Sequence, residues 1–417
     1  MPEPLTPPQR AETVFTYAAP SLVYGPGAIR DIAFHLRDAR RVLIVTDAGV
    51  AATGCVQRVV DALPCQVAIW DDSHVEPTDA SLRCIADYVR RTGRWDAFIA
   101  VGGGSSIDTA KAANLMYTNP GDLLDYVNAP IGGGQAPTQP LKPLIAVPTT
   151  TGTGSESTTI CVLDVLDRHV KTGISHPALR PTLAVVDPDL SMTQPPMVTA
   201  CAGLDILCHA LESYTARPYA AFEAKTAEQR VPYCGANPIS DMWAERALTL
   251  MAEAFLPAVR DDDPEARAKV ALAATLAGMG FGNAGVHVPH ANAYPIAGRV
   301  RAYRPPDYPQ DEPLIPHGMA VALTAPAAFR TTHAASPQRH ERAAQLLGGG
   351  QGADALPHIL RDIMTEVGIP SGLAEVGYTA DDIPDLVAGT RAQQRLLALA
   401  PLELSDKDLA TIFEESL

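Results

Sequence analysis

The sequence has no Cys-x-x-Cys pair, no P-loop and no apolar run approaching the ~20 residues of a membrane span, and its glycine-rich "VGGGSSIDTAK" lacks the G-x-G-x-x-G spacing. Its seven cysteines are scattered and odd in number, which excludes a disulfide framework and points to a reducing compartment. Basic excess is also lacking: 32 Lys and Arg stand against 47 Asp and Glu, a net charge of −15. That balance excludes nucleic acid and anionic membrane surfaces as partners. It leaves open small anionic substrates, which need only a local basic pocket. The N-terminal "MPEPLTPPQR" has no basic stretch followed by an apolar core, so it is not read as a secretory signal, and the expected location is the cytoplasm.

At 417 residues the chain is too long for one ordinary core and suits two domains. In the first half, short β-branched runs such as "RRVLIVTD", "CQVAIW", "DAFIAVGGG", "PLIAVPTT" and "TLAVVDP" alternate with helical patterns. That alternation predicts a parallel sheet with helices on both faces and ligands outside the carboxyl ends of its strands. Past Met192 the strands stop and Ala- and Leu-rich helical spacing takes over. The expected organisation is an α/β domain over 1–194 followed by an all-α domain over 195–417. Two long irregular stretches, Arg217–Pro238 and Gly298–Pro316, interrupt the helices, and loops of such length are usually functional or mobile.

"VGGGSSIDTAK" sets three glycines at a strand end with a helix directly after. Glycines let a backbone approach a phosphate, and the helix start offers unpaired N–H groups. A tight turn capped by Ser105 or Ser106 is the plainer alternative. "PTTTGTGSE", Pro148–Glu156, follows the next strand, and two such loops at one sheet edge favour a dinucleotide cleft. Asp47 ends the first of these strands, where a carboxylate accepts from ribose hydroxyls and repels a 2′-phosphate, favouring NAD over NADP.

In "CAGLDILCHALESY", Asp205 and His209 lie four residues apart in an otherwise apolar helix, so both leave the same face. A satisfied core pair would explain them, and so would half of a metal site. Further imidazoles occur at His287, His290 and His317. Three imidazoles and a carboxylate suit Fe²⁺ or Zn²⁺, and an ion there stabilises an alkoxide as hydride leaves its carbon. Five candidates for four places stay unresolved by spacing alone.

The glycine loop, "PTTTGTGSE", "GLDILCHALESY" and "PHG", in this order, resemble the iron-containing (group III) alcohol dehydrogenase family over nearly the whole chain. The resemblance implies a dinucleotide-binding α/β domain, a helical metal-binding domain and assembly as a homodimer. It carries the metal ligands over to Asp205, His209, His290 and His317. His290 is preferred to His287 because "HANAYPIAG" fits the family frame H-A-x-A-H-x-x-G-G. In that frame the second family histidine, associated with proton movement, is Tyr294 here. A tyrosine relays protons, but its free pKa of about 10 makes it a weak base at neutrality, so His287 is a second catalytic candidate.

The resemblance further implies NAD(H) contacts at Asp47, Gly103, Gly104, Ser105, Ser106, Asp108, Thr149, Thr150, Thr153, Ser155, Lys171 and Leu190, with Fe²⁺ preferred to Zn²⁺ as the ion. "GFGNAGVHVPHANAYPIAG", the basic loop before "PHG", and "GANPISDMWAERAL" narrow it to the branch that passes hydride from a 4-hydroxybutyrate-like hydroxyacid to a 2-oxoglutarate-like oxoacid through bound NAD(H). Arg299, Arg301 and Arg304 are the expected carboxylate contacts, against the plainer reading of a solvated basic loop. The alternatives are an ordinary NAD-dependent dehydrogenase of a small alcohol or aldehyde, and a nucleotide- and metal-binding protein without turnover.

Overall fold

The computed structural model describes residues 2, 4–168, 170–230 and 232–417. The chain divides into two compact units, Ala19–Gln194 and Pro195–Leu417 joined by Met1–Ala18.

The first unit is built on a six-stranded sheet ordered β1-β8-β5-β4-β2-β3 with every neighbouring pair parallel. Its strands are β1 (Ser21–Tyr24), β2 (Arg41–Val45), β3 (Gln66–Trp70), β4 (Ala97–Gly102), β5 (Leu144–Pro148) and β8 (Leu183–Val186). β4 is buried along its whole length, as expected of a central strand covered on both faces. Between β3 and β4 runs the helix α1 (Asp79–Thr92), started by a Thr78–Ser81 capping box and buried at Leu82, Ile85, Ala86 and Val89, one stripe of a 3.6-residue period. Between β5 and β8 the chain adds an antiparallel hairpin, β6 (Ile160–Val165) and β7 (Val170–Ser175), which the sequence patterning does not announce.

The second unit is helical. Its elements include α3 (Pro196–Thr215), α4 (Pro238–Arg260), α5 (Pro264–Ala284), α6 (Val288–Gly298), α7 (His317–His333), α8 (Ile383–Arg391) and the short α9 (Gln394–Leu397). In the first unit, α2 (Gly104–Thr118) follows β4 directly. Helix α3 is buried on nearly every side, packed by α4, α5 and α7. Each fully buried leucine on it, such as Leu204 or Leu207, contributes about 1.5–3 kcal/mol of transfer free energy. Gly318 lets α7 start against α3: a Cβ there would lie 2.0 Å from the Cys201 carbonyl oxygen.

The first eighteen residues depart from the expected boundaries, because they pack on the helical unit and not on the α/β unit. Ala18 donates its N–H to the Asn283 side chain, Ala11 bridges to Glu223, and the Arg230 guanidinium meets the Glu12 carboxylate. Among the described residues no helix is long and apolar enough to cross a membrane.

Candidate functional site

Within the helical unit, Asp205 and His209 sit one turn apart on α3, His290 lies in the first turn of α6, and His317 opens α7. The Asp205 Oδ1 atom is 3.4 Å from His290 Nε2, 3.7 Å from His209 Nε2 and 4.0 Å from His317 Nε2. Ligand atoms about 2.0–2.2 Å from a tetrahedral ion stand roughly 3.3–3.6 Å apart, so this spacing is close to that of a donor set around one ion. Asp205 Oδ1 and His290 Nε2 are buried without a hydrogen-bond partner among the described residues, a costly state that a cation at their centre relieves. The residues present therefore fit a divalent metal.

Electrostatics prepare the set unequally. Burial holds His209 down to about 3, so its imidazole is neutral and ready to donate a lone pair. Burial also disfavours the charged form of His290, but the carboxylates of Glu212 and Asp205 outweigh it and raise the group to about 9. Glu212 is absent from the sequence expectations. It is fully buried on α3, accepts a 2.5 Å hydrogen bond from His290 Nδ1–H through one oxygen, and accepts the His287 backbone N–H at 2.5 Å through the other. The signal was available: positions 205, 209 and 212 follow the i, i+4, i+7 spacing of one helix face.

His287 is not brought into this cluster. Thr215 gives its only hydroxyl proton to the Leu211 carbonyl, so its oxygen accepts from His287 Nε2–H at 3.0 Å. Burial lowers His287 to about 4. His287, the second catalytic candidate expected from sequence, is thus fully enclosed and engaged with α3, outside the Asp205 cluster. Tyr294, one turn after His290, lies edge-on to His317 with ring centroids 6.4 Å apart.

The basic loop also differs from expectation. Arg299 pairs with Asp385 at 2.8 Å, Arg301 forks onto Asp382, and Arg304 donates to the carbonyls of Gln310 and Ala302. Arg299 and Arg301 are thus engaged with carboxylates of the chain itself, and Arg304 with backbone carbonyls of its own loop.

In the α/β unit, Gly103 caps α2 with no side chain bonded to the first-turn N–H groups. The "PTTTGTGSE" loop packs on the glycines: a Cβ on Gly103 would lie 2.7 Å from Thr150 Oγ1, and one on Gly104 would lie 2.7 Å from Thr153 Cγ2. Asp47 accepts from the Val50 N–H and the Ser106 hydroxyl, which ties the end of β2 to the glycine loop, while Ser105 Oγ accepts from the Glu76 N–H. Thr149 is joined to the same loop through its N–H to the Gly102 carbonyl.

Four of the expected cofactor residues have other tasks. Asp108 takes Lys111, the Ser155 hydroxyl and the Val162 N–H. Ser155 is thereby used up between Asp108 and Lys111. Lys171 is buried against Glu76 and Asp164. Leu190 is a fully buried core residue.

The chain, with its parallel-sheet unit and its helical unit holding the buried Asp205, His209 and His290 beside the half-buried His317, has a match among known proteins. Residues 19–188 match the family described as iron-containing alcohol dehydrogenase, and 199–417 match the C-terminal domain of the Fe-containing alcohol dehydrogenase family. The chain belongs to that family and is an oxidoreductase. Within it, the chain is 46% identical over 419 residues to a protein of Xenopus laevis named hydroxyacid-oxoacid transhydrogenase, mitochondrial, covering 97% of this chain and 90% of the relative. The Homo sapiens protein of the same name is 43% identical with the same coverage.

Among solved structures, a 1,3-propanediol oxidoreductase superposes with a TM-score of 0.84 at 29% identity, covering 97% of this chain and all of that one. A sulfoacetaldehyde reductase from Bifidobacterium kashiwanohense in complex with NAD⁺ gives 0.81 at 27%, covering 97% and 98%. The cytoplasmic expectation is overturned by the Xenopus laevis and Homo sapiens relatives, which are named as mitochondrial. It rested on the absence of a secretory signal, and that absence has no bearing on import into mitochondria.

Proposed function

We propose that this chain transfers hydride from a hydroxyacid to an oxoacid, with 4-hydroxybutyrate and 2-oxoglutarate as representative substrates. The observation that carries the reading is the near full-length similarity to proteins named hydroxyacid-oxoacid transhydrogenase. The buried Asp205, His209 and His290, with the half-buried His317, and the glycine and threonine loops supply matching chemistry. Bound NAD(H) supplies the hydride carrier for both half-reactions, and a divalent ion, Fe²⁺ in preference to Zn²⁺, supplies a Lewis acid for the substrate oxygen.

The residues of the chain divide the remaining work. Asp205, His209, His290 and His317 hold the ion, with Glu212 fixing the tautomer and aim of His290. The open N–H groups of Gly104 to Ser106 take the pyrophosphate, and Thr149, Thr150 and Thr153 line the same loop pair. Asp47 disfavours a 2′-phosphate and so selects NAD. Tyr294 passes a proton: the hydroxyl proton lost in the first half-reaction is the one the carbonyl needs in the second. The overall exchange therefore releases no proton, and a relay is enough where an ordinary dehydrogenase needs a base that discharges to solvent.

The test is to incubate the metal-loaded protein with 4-hydroxybutyrate and either NAD⁺ alone or 2-oxoglutarate. Semialdehyde formed only with 2-oxoglutarate supports the proposal. Stoichiometric NADH accumulation without acceptor would indicate an ordinary dehydrogenase, and no product in either arm would indicate a binding protein.

A further inference from the structure

The helices α6 and α7, which carry the proposed ligands His290 and His317, each contain an internal proline: Pro295 in α6 and Pro326 in α7. A proline has no N–H for the carbonyl four residues back, here that of Ala291 and of Ala322, and its ring pushes that carbonyl away. Each helix therefore loses a rung of its own ladder within three turns of its ligand, at the kind of place where helices kink. The two imidazoles stand close together, with ring centroids 5.3 Å apart. Their spacing depends on two helices whose own hydrogen bonding is interrupted.

Just before both prolines in sequence lies a buried polar contact that the ligand set does not use. Asn292 on α6 donates from Nδ2 to Thr324 Oγ1 on α7 at 3.2 Å, and its Oδ1 accepts from the Thr390 hydroxyl on α8 at 3.1 Å. All three side chains are fully buried. Gly389, next to Thr390, admits α8 against α6: a Cβ there would lie 2.5 Å from Pro295 Cβ. One amide thus ties three helices together where two of them are interrupted. Sliding either neighbour along α6 would leave the amide or a hydroxyl buried without a partner, which is costly. Apolar packing is non-directional and carries no such penalty.

We propose that Asn292, through Thr324 and Thr390, is a positioning residue of the metal centre: the amide sets the offset between α6 and α7, and with it the spacing of His290 and His317. The assignment rests on the ligand reading above. A working site holds its groups within about 0.5 Å, whereas one residue of helix rises about 1.5 Å, so even a fraction of a residue of slippage spoils the donor set.

The test uses the full chain, freed of metal, with Zn²⁺ and Co²⁺ as probes. Affinity is read by chelator competition, coordination geometry by the visible absorption of the Co²⁺ form, and stability by the thermal midpoint of the metal-free chain. Thr390→Val keeps the side-chain shape and removes the hydroxyl, while Thr390→Ser keeps the hydroxyl. A triple variant, Asn292→Leu with Thr324→Val and Thr390→Val, removes all the polar partners together, a change that is close to neutral for stability. Thr390→Val and the triple variant are expected to weaken Zn²⁺ binding roughly two- to thirtyfold and to shift the Co²⁺ band, with Thr390→Ser close to the wild type. Thr390→Val, a single near-isosteric change, decides the question alone if the triple variant does not fold. Unchanged affinity and an unchanged Co²⁺ spectrum, whatever the midpoint does, overturn the positioning role and leave the ligand assignment intact. A wild type that binds neither ion overturns both.

Discussion

Glu212 and His290 share a 2.5 Å hydrogen bond between a carboxylate oxygen and Nδ1, both groups buried on facing helices. Once His290 gives up its second proton, the bond keeps the remaining one on Nδ1 and leaves the Nε2 lone pair pointing at the Asp205 side of the cluster. Partners of this kind raise ligand basicity, and their loss costs about 10–100-fold in metal affinity. Glu212→Ala is expected to lose affinity in that range, measured by competition with a calibrated chelator, and Glu212→Gln to lose less. Unchanged metal retention in both variants would show that the contact only packs the helices.

Removing either neighbouring histidine separates ligation from packing. His290→Ala should abolish metal retention. His287→Ala should keep most of the metal but lose the Thr215 hydrogen bond, destabilising by roughly 1–3 kcal/mol, while the backbone N–H of residue 287 still serves Glu212. Metal analysis after gel filtration and a denaturant titration give both numbers. The reverse pattern would make His287 the ligand.

Metal uptake should release a proton. In the metal-free protein His290 is raised to about 9 and carries a proton at neutral pH, whereas His209, lowered to about 3, is already neutral. The ion must displace the His290 proton, so apparent affinity rises about tenfold per pH unit while the pH stays below that of His290, and flattens above it. Calorimetric titration at pH 7 in buffers of different ionisation enthalpy should report close to one proton released per ion. Zero would mean that His290 is neutral beforehand.

The Asp47 carboxylate, proposed above to select NAD, caps the helix start at Val50 and accepts from Ser106 of the glycine loop. Asp47→Gly should shift relative affinity from NAD towards NADP by roughly tenfold or more, as like-charge repulsion is removed. A glycine cap costs only a few tenths of a kcal/mol, so the thermal midpoint should move little. Fluorescence titration with NADH and NADPH measures the shift, and a wild type that already prefers NADPH would refute the assignment.

Much of the site could be read from the sequence because helical spacing is rigid. Asp205 and His209 at i, i+4 can point only one way together, and the glycines before α2 had to meet something lacking room for a Cβ. That something turned out to be the protein's own Thr150 and Thr153 as much as any ligand. What spacing could not supply was competition between partners. Asp108, Ser155 and Lys171 carry the right groups for a nucleotide, but contacts made 44 to 95 residues away in sequence claim them first. Arg299 and Arg301 of the basic loop are claimed in the same way by Asp385 and Asp382 on the C-terminal segment.

The strap formed by the first eighteen residues has a kinetic consequence. Ala18 finds Asn283 across 265 residues of chain, with the whole α/β unit threaded between them. At synthesis rates of about 5–20 residues per second, the strap waits roughly 13–50 s before its partner helix leaves the ribosome. During that interval the α/β unit, whose residues are contiguous, can complete its own sheet, and the helical unit closes last around a segment made first. A chain begun at residue 19 would therefore leave Asn283 and Arg230 facing water where the strap belongs, and its weakness would surface in the helical unit, far in sequence from the cut.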